Sequence, residues 1–188
     1  MKYYKLKVLE LERDLPILKA PSGINIAGFN LVGDMELLNK SGEFLAEKVR
    51  SHNIPYDIIL TTEVKGIPVA QEIARNLGCD YVCLRKEKKC YMLNPISITS
   101  ESITSGKSQY FLSETDLNKL INKNVIFVDD VLSTGGTLNN MLKFAKDYKF
   151  KINSSLFVLK EGIKGKDEDL EFNYNDTRII CCQFLPLP

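Results

Sequence analysis

Two aspartates, Asp129 and Asp130, stand side by side in the stretch NVIFVDDVLSTGGTL, residues 124–138. They close an apolar run, and the chain then turns through Ser-Thr-Gly-Gly-Thr. Glycines let a backbone approach an anion closely, and the amides that open a helix point at it together with the helix's positive end. Ser133, Thr134 and Thr137 add hydroxyl donors around Gly135 and Gly136, so residues 133–137 read as a phosphate loop. Carboxylates beside a phosphate repel it unless a neutral or cationic group lies between. The vicinal hydroxyls of a ribose meet that need, because they donate hydrogen bonds to carboxylates while a 5'-phosphate sits in the loop. One ribose 5-phosphate satisfies both halves of the stretch. Paired acids also follow strands in response regulators, but those lack a following Gly-Gly loop. A P-loop needs G-x-x-x-x-G-K-[ST], and the chain has no such string.

Elements that position this chemistry are legible around it. Asp34 to Asn53 has apolar residues at Met35, Leu38, Phe44, Leu45 and Val49, a helical spacing after an aspartate cap. Asp57 to Thr62 is a short apolar run with the form of a buried parallel strand. IPVAQEIARNLG follows as a helix, with Pro68 near its first turn and Gly78 as its stop. Asp80 to Arg85 is the next strand, and NVIFVDD with GGTLNNMLKFAKDY repeats the strand–turn–helix order. NSSLFVLK and TRIICCQFL read as two further strands. Strands alternating with helices predict an α/β fold, a doubly wound parallel sheet. In such sheets ligands bind beyond the carboxyl ends of the strands, where the two aspartates fall. The polar stretch at about residues 87–112 breaks the pattern and is expected to form a flexible hairpin lid. Residues 13–33 show no clean period, and residues 1–33 are expected to form a small N-terminal cap, or hood, on a single domain of residues 1–188 with its α/β core at 34–188.

Composition narrows the function. Hydrophobic residues make up 44% and charged residues 26%, as in a globular protein rather than a disordered one. Basic and acidic residues number 25 and 24, which leaves no long-range field for nucleic acid or an anionic membrane. No run approaches the roughly 18–20 apolar residues of a membrane span, and MKYYKLKVLELERDLPILK carries charges where a signal peptide is apolar. Five cysteines without a C-x-x-C pattern read as reduced thiols, so a cytoplasmic location is expected. The lone histidine, His52, lies at an apparent helix end, where the helix dipole accounts for it without catalysis.

VIFVDDVLSTGGT resembles the phosphoribosyl pyrophosphate motif of type I phosphoribosyltransferases. TTEVKGIPVAQEIARNLG is similar to that family's pyrophosphate loop and the helix after it, and LRKEKK to its Arg-Lys element. LFVLKEGIKGKDEDL and the ending RIICCQFLPLP resemble adenine phosphoribosyltransferases. The resemblance implies that Asp129 and Asp130 hold the ribose hydroxyls and that Leu132, Ser133, Thr134, Gly135, Gly136 and Thr137 hold the 5'-phosphate. It assigns the pyrophosphate to Glu63, Val64, Lys65 and Gly66, with Arg85, Lys86 and Lys89 facing it, and makes Lys65 and Arg85 catalytic alongside the aspartates. Lys65 stands where adenine enzymes carry arginine; a lysine keeps the charge and loses the bidentate fork. Mg²⁺ would bridge pyrophosphate and ribose hydroxyls, possible ligands being Asp129 and Asp130. The implied partners are phosphoribosyl pyrophosphate and a purine base, in a homodimer without nucleic acid or membrane. Base contacts are expected from Ile24, Phe29 and Thr104. Thr104 replaces the lid glutamate of adenine enzymes, and Ala27 falls where their cap has an arginine. The expected activity is phosphoribosyl transfer to a purine, adenine first, in purine salvage. Xanthine or hypoxanthine as acceptor is the alternative, and a non-catalytic phosphoribosyl pyrophosphate-binding regulator is the second alternative.

Overall fold

The computed structural model describes residues 2–19, 23, 25–102 and 106–186. In chain order its elements are β1 (Tyr3–Val8), β2 (Leu11–Lys19), β3 (Asn25–Ala27), α1 (Met35–Ser51), β4 (Ile58–Thr62), α2 (Gly66–Leu77) and β5 (Asp80–Leu84). Then come β6 (Ile96–Ser102), β7 (Gly106–Leu112), α3 (Glu114–Asn118), β8 (Asn124–Leu132), α4 (Gly136–Asp147), β9 (Lys151–Gly162), β10 (Glu171–Tyr174) and β11 (Thr177–Pro186).

Six strands form one sheet in the order β10-β11-β9-β8-β4-β5. The run from β11 to β5 is parallel, as the strand–helix alternation predicts. β10 departs from it and pairs antiparallel with β11. Asn175 and Asp176 both take positive φ between Tyr174 and Thr177. That is a two-residue hairpin turn, which can join only antiparallel strands.

Side chains leave successive strand positions in opposite directions, and here they feed two cores. Ile59, Ile126, Val128, Ile180 and Cys182 face α1, α2 and β1. Ile58, Leu60, Val125, Phe127, Ile179 and Cys181 face α3 and α4. Cys181 and Cys182 therefore point to opposite sides of the sheet, and both remain free thiols. Phe127 is fully buried and meets Phe157 edge-on at 6.1 Å between centroids. Truncating such a ring to alanine costs about 3–5 kcal/mol.

β1, β2 and β3 form a separate antiparallel sheet in that order. Leu6, Val8, Leu15 and Ala27 join the core on the α1 face. Arg13 of β2 reaches Asp34 at 2.6 and 2.9 Å and Glu36 at 3.0 Å, tying this sheet to the start of α1. β6 and β7 pair antiparallel, and β7 is attached to the end of β5 by backbone bonds between Arg85 and Phe111. No helix among the described residues is long and apolar enough to cross a membrane.

Candidate functional site

The carboxyl ends of β4, β5 and β8 bring the sequence-distant groups together. β8 runs on to Leu132, so both aspartates lie within the strand rather than at its end. Adjacent strand positions face opposite ways, and this makes the two acids unlike. Asp130 forms an ion pair with Lys65, the residue just before α2. Asp129 accepts from the backbone N–H of Asp130 at 3.0 Å and from the Thr62 hydroxyl at 3.4 Å. Burial, reinforced by the charge of Asp130, holds the Asp129 carboxyl well above the usual carboxylate range.

Gly66 opens α2 with its backbone pressed against this pair. A Cβ there would lie 2.4 Å from Thr61 Oγ1 and 3.0 Å from Asp129 Oδ1. Only glycine fits. The preceding residues Glu63–Lys65 form a turn in which Val64 is exposed and the Glu63–Val64 peptide is cis. Glu63 pairs with Arg85 at 2.5 Å, so the second expected pyrophosphate cation also rests on an acid of its own chain. Lys89 pairs with Glu87 at 2.9 Å, and Lys86 is exposed. The cations expected to be open to pyrophosphate thus largely hold internal partners. Long flexible side chains exchange such partners at small cost when solvent-exposed.

The expected phosphate segment divides between three elements. Leu132 ends β8 with its side chain in the core, Ser133–Gly135 make the turn, and Gly136 and Thr137 already belong to α4. Gly135 caps α4 in the left-handed region at φ 77°, and no side chain caps the helix. α2 likewise has no side-chain cap. Two helix starts with open N–H groups therefore flank the carboxylates, the arrangement that suits two anionic groups on one ligand.

Three features escaped the sequence. A cavity of about 240 Å³ adjoins the phosphate turn, lined by Ser133, Thr134, Gly135, Lys160, Phe172 and Tyr174 among others. Lys160 Nζ lies 4.3 Å from the Phe172 ring centroid and donates to the Asp169 carbonyl at 3.0 Å. The four residues of β10 carry no periodic signal, and their only cue is the turn pair Asn175–Asp176. Tyr110 reaches the site from β7, and Thr62 from the end of β4. Of the expected base contacts, Phe29 packs against the core on the α1 face, while Ile24 and Thr104 lie outside the described residues.

Paired acids near the end of β8, a glycine-opened turn on one side and a second uncapped helix start on the other thus meet at one edge of the sheet. The model of the phosphoribosyl transferase domain matches residues 32–184, and the chain belongs to that family. Among curated relatives, the purine biosynthesis transcriptional repressor PurR of Bacillus subtilis is 29% identical over 145 residues, covering 77% of this chain and 49% of the repressor. The chain spans about half the length of the regulators it matches. A hypoxanthine/guanine phosphoribosyltransferase of Methanothermococcus okinawensis is 29% identical over 138 residues, covering 73% of this chain and 72% of that enzyme. The crystal structure of adenine phosphoribosyltransferase from Thermoanaerobacter pseudethanolicus superposes with a TM-score of 0.63 at 24% identity, over 77% of this chain and 84% of that one. It shares the α/β fold, with a central and mostly parallel sheet.

Proposed function

We propose that this chain transfers phosphoribose from phosphoribosyl pyrophosphate to a purine base, releasing pyrophosphate. The observation that carries the reading is the pairing of Asp129 and Asp130 with two uncapped helix starts, those of α2 and α4. The Ser133–Thr137 turn takes the 5'-phosphate, the two carboxylates the ribose hydroxyls, and residues 63–66 with Arg85 the pyrophosphate. Lys65 and Arg85 give up Asp130 and Glu63 and turn to the leaving group. Positioning and electrostatics then carry the rate, because positive charge developing on the ribose faces carboxylates while the departing anion faces cations.

Among the described residues no cluster of three or more His, Cys, Asp or Glu forms a ready-made metal site. Two adjacent carboxylates with hard oxygen donors fit Mg²⁺, which takes one or two carboxylates and completes its shell with water and substrate phosphates. Asp129 and Asp130 would hold it, and the ion would neutralise the leaving pyrophosphate.

Adenine is the first acceptor, on the resemblance of residues 156–170 and of the chain's ending to adenine enzymes. A 6-oxopurine is the second reading, and Lys160 favours it. Its ammonium has only donors to offer beside the phosphate turn, which suits a 6-oxo group and opposes a 6-amino group. Incubation with phosphoribosyl pyrophosphate, Mg²⁺ and adenine, hypoxanthine, guanine or xanthine separates the two by the nucleotide formed. Tight binding of the donor without nucleotide from any base would replace transfer with the regulator reading. The homodimer implied by the family resemblance is checked by sedimentation.

A further inference from the structure

Two contacts hold the Lys160 ammonium, and both come from residues 169–172. Its Nζ donates to the Asp169 carbonyl at 3.0 Å and lies 4.3 Å from the Phe172 ring centroid. Glu171 stands between those two residues, and its side chain leaves β10 on the face opposite Phe172. There it meets the end of α1. One carboxylate oxygen accepts from Lys48 Nζ at 2.6 Å, and the other lies 2.8 Å from His52 Nε2. Lys48 is in the last turn of α1 and His52 is its C-cap, where the helix dipole favours cations. The bond from Lys48 is the largest cause holding the Glu171 carboxyl below its ordinary range. A lone surface ion pair contributes little, but here both carboxylate oxygens are engaged in one network.

The other face of β10 is tied to α4. Phe172 packs against the core on that side, and the Tyr174 hydroxyl donates to Asn139 Oδ1 at 2.9 Å. Asn139 belongs to the first turn of α4, its N–H bonded to the Gly135 carbonyl at 2.9 Å. β10 thus reaches from the last turn of α1 to the first turn of α4. Lys160, Phe172 and Tyr174 line the cavity beside the phosphate turn. As an edge strand, β10 has a backbone ladder on one side alone, with β11. Its side-chain ties therefore carry much of the task of fixing that wall.

We propose that Glu171 is a positioning residue that, anchored on Lys48 and His52, holds residues 169–172 where they aim the Lys160 ammonium at a 6-oxo group of the acceptor base. Releasing the anchor lets the Asp169 carbonyl and the Phe172 ring shift together, and the ammonium loses both of its supports at once. The positioning role rests on the 6-oxopurine reading of the site.

Steady-state kinetics test it in wild type, Glu171→Ala, Lys160→Met and the double variant. The assay supplies phosphoribosyl pyrophosphate, Mg²⁺ and whichever of hypoxanthine, guanine and xanthine wild type converts fastest, with adenine run in parallel. Glu171→Ala is expected to raise KM for the 6-oxopurine roughly three- to tenfold, the range of one net hydrogen bond, while kcat and KM for the donor hold. Lys160→Met is expected to raise the same KM at least as far, and adding Glu171→Ala to it changes nothing more. An unchanged KM in Glu171→Ala, or losses that multiply in the double variant, would overturn the role. So would a fall in kcat with a rise in both KM values, the mark of a merely structural residue. If circular dichroism shows Glu171→Ala unfolded, Lys48→Met with His52→Asn decides instead, because it removes the same anchor from α1 and is expected to give the same shift. Wild type making nucleotide from adenine alone would overturn the 6-oxopurine reading and the positioning role with it. No nucleotide from any base would overturn phosphoribosyl transfer and both readings. Turnover of a 6-oxopurine with none of these shifts overturns the positioning role only.

Discussion

α1 and α4 begin in opposite ways. The first turn of α1 is sealed: Asp34 accepts from the Leu37 N–H at 3.1 Å while Arg13 holds the same carboxylate. That bond keeps the Asp34 carboxyl below the usual range, with Arg13 the largest cause. The first turn of α4 has only Gly135 before it and no side-chain cap. Open N–H groups at a helix start cost stability unless water or a ligand satisfies them. A sealed start therefore serves the fold, and the open one is the start that the proposed function gives to an anion.

The largest test of that contrast lies at the open end. Asp129→Asn together with Asp130→Asn is expected to lower turnover by roughly a hundredfold to a thousandfold or more, with circular dichroism unchanged. Substantial residual activity in a nucleotide-formation assay would break the ribose assignment. Gly66→Ala comes next, because the added Cβ collides with Thr61 and Asp129. It is expected to cost about 1–3 kcal/mol of stability and to abolish donor binding, read by denaturant melts and calorimetry. Lys65→Ala should raise KM for phosphoribosyl pyrophosphate about tenfold, equivalent to about 1.4 kcal/mol. An unchanged KM would remove Lys65 from the pyrophosphate side.

At the sealed end, Asp34→Ala should cost about 1–2 kcal/mol and leave KM for the donor unaltered. A shift in KM would blur the distinction between the two helix starts. The smallest effect is in pH. A raised folded-state pKa at Asp129 lends stability in full below the unfolded carboxylate value of about 4, and that stability is lost as pH rises through the folded value. Asp34 works in the other direction, stabilising above its unfolded value and failing as pH falls through its depressed one. Melting temperatures from pH 4 to 8 should therefore flatten in Asp129→Asn relative to wild type, while Asp34→Ala should lie below wild type across that range and converge with it only in stronger acid.

The same contrast governs what could be read in advance. The α1 cap at Asp34, the α2 stop at Gly78 and the anion turn at Ser133–Thr137 are local devices, fixed by residues within one turn of each other. Their spacing carries the information, and the parallel α/β class follows from strand–helix alternation, while the strand order was decided only by the structure. The strand β1 was missed although its burial alternates, with Leu6 and Val8 turned inward, and the four residues of the edge strand β10 are too few and too exposed to carry a pattern.

By itself the sequence determined the α/β class, the adjacency of the two carboxylates and the glycine turn that follows them, since each depends on periodicity or on adjacent residues. Only the tertiary structure decided that Asp129 and Asp130 are unequal, that Lys65 and Arg85 rest on acids, and that Tyr110 and Lys160 reach the site from other elements. Those facts depend on which strand ends lie side by side and which way a side chain leaves its strand. Such contacts join residues tens of positions apart, and local spacing carries no record of them.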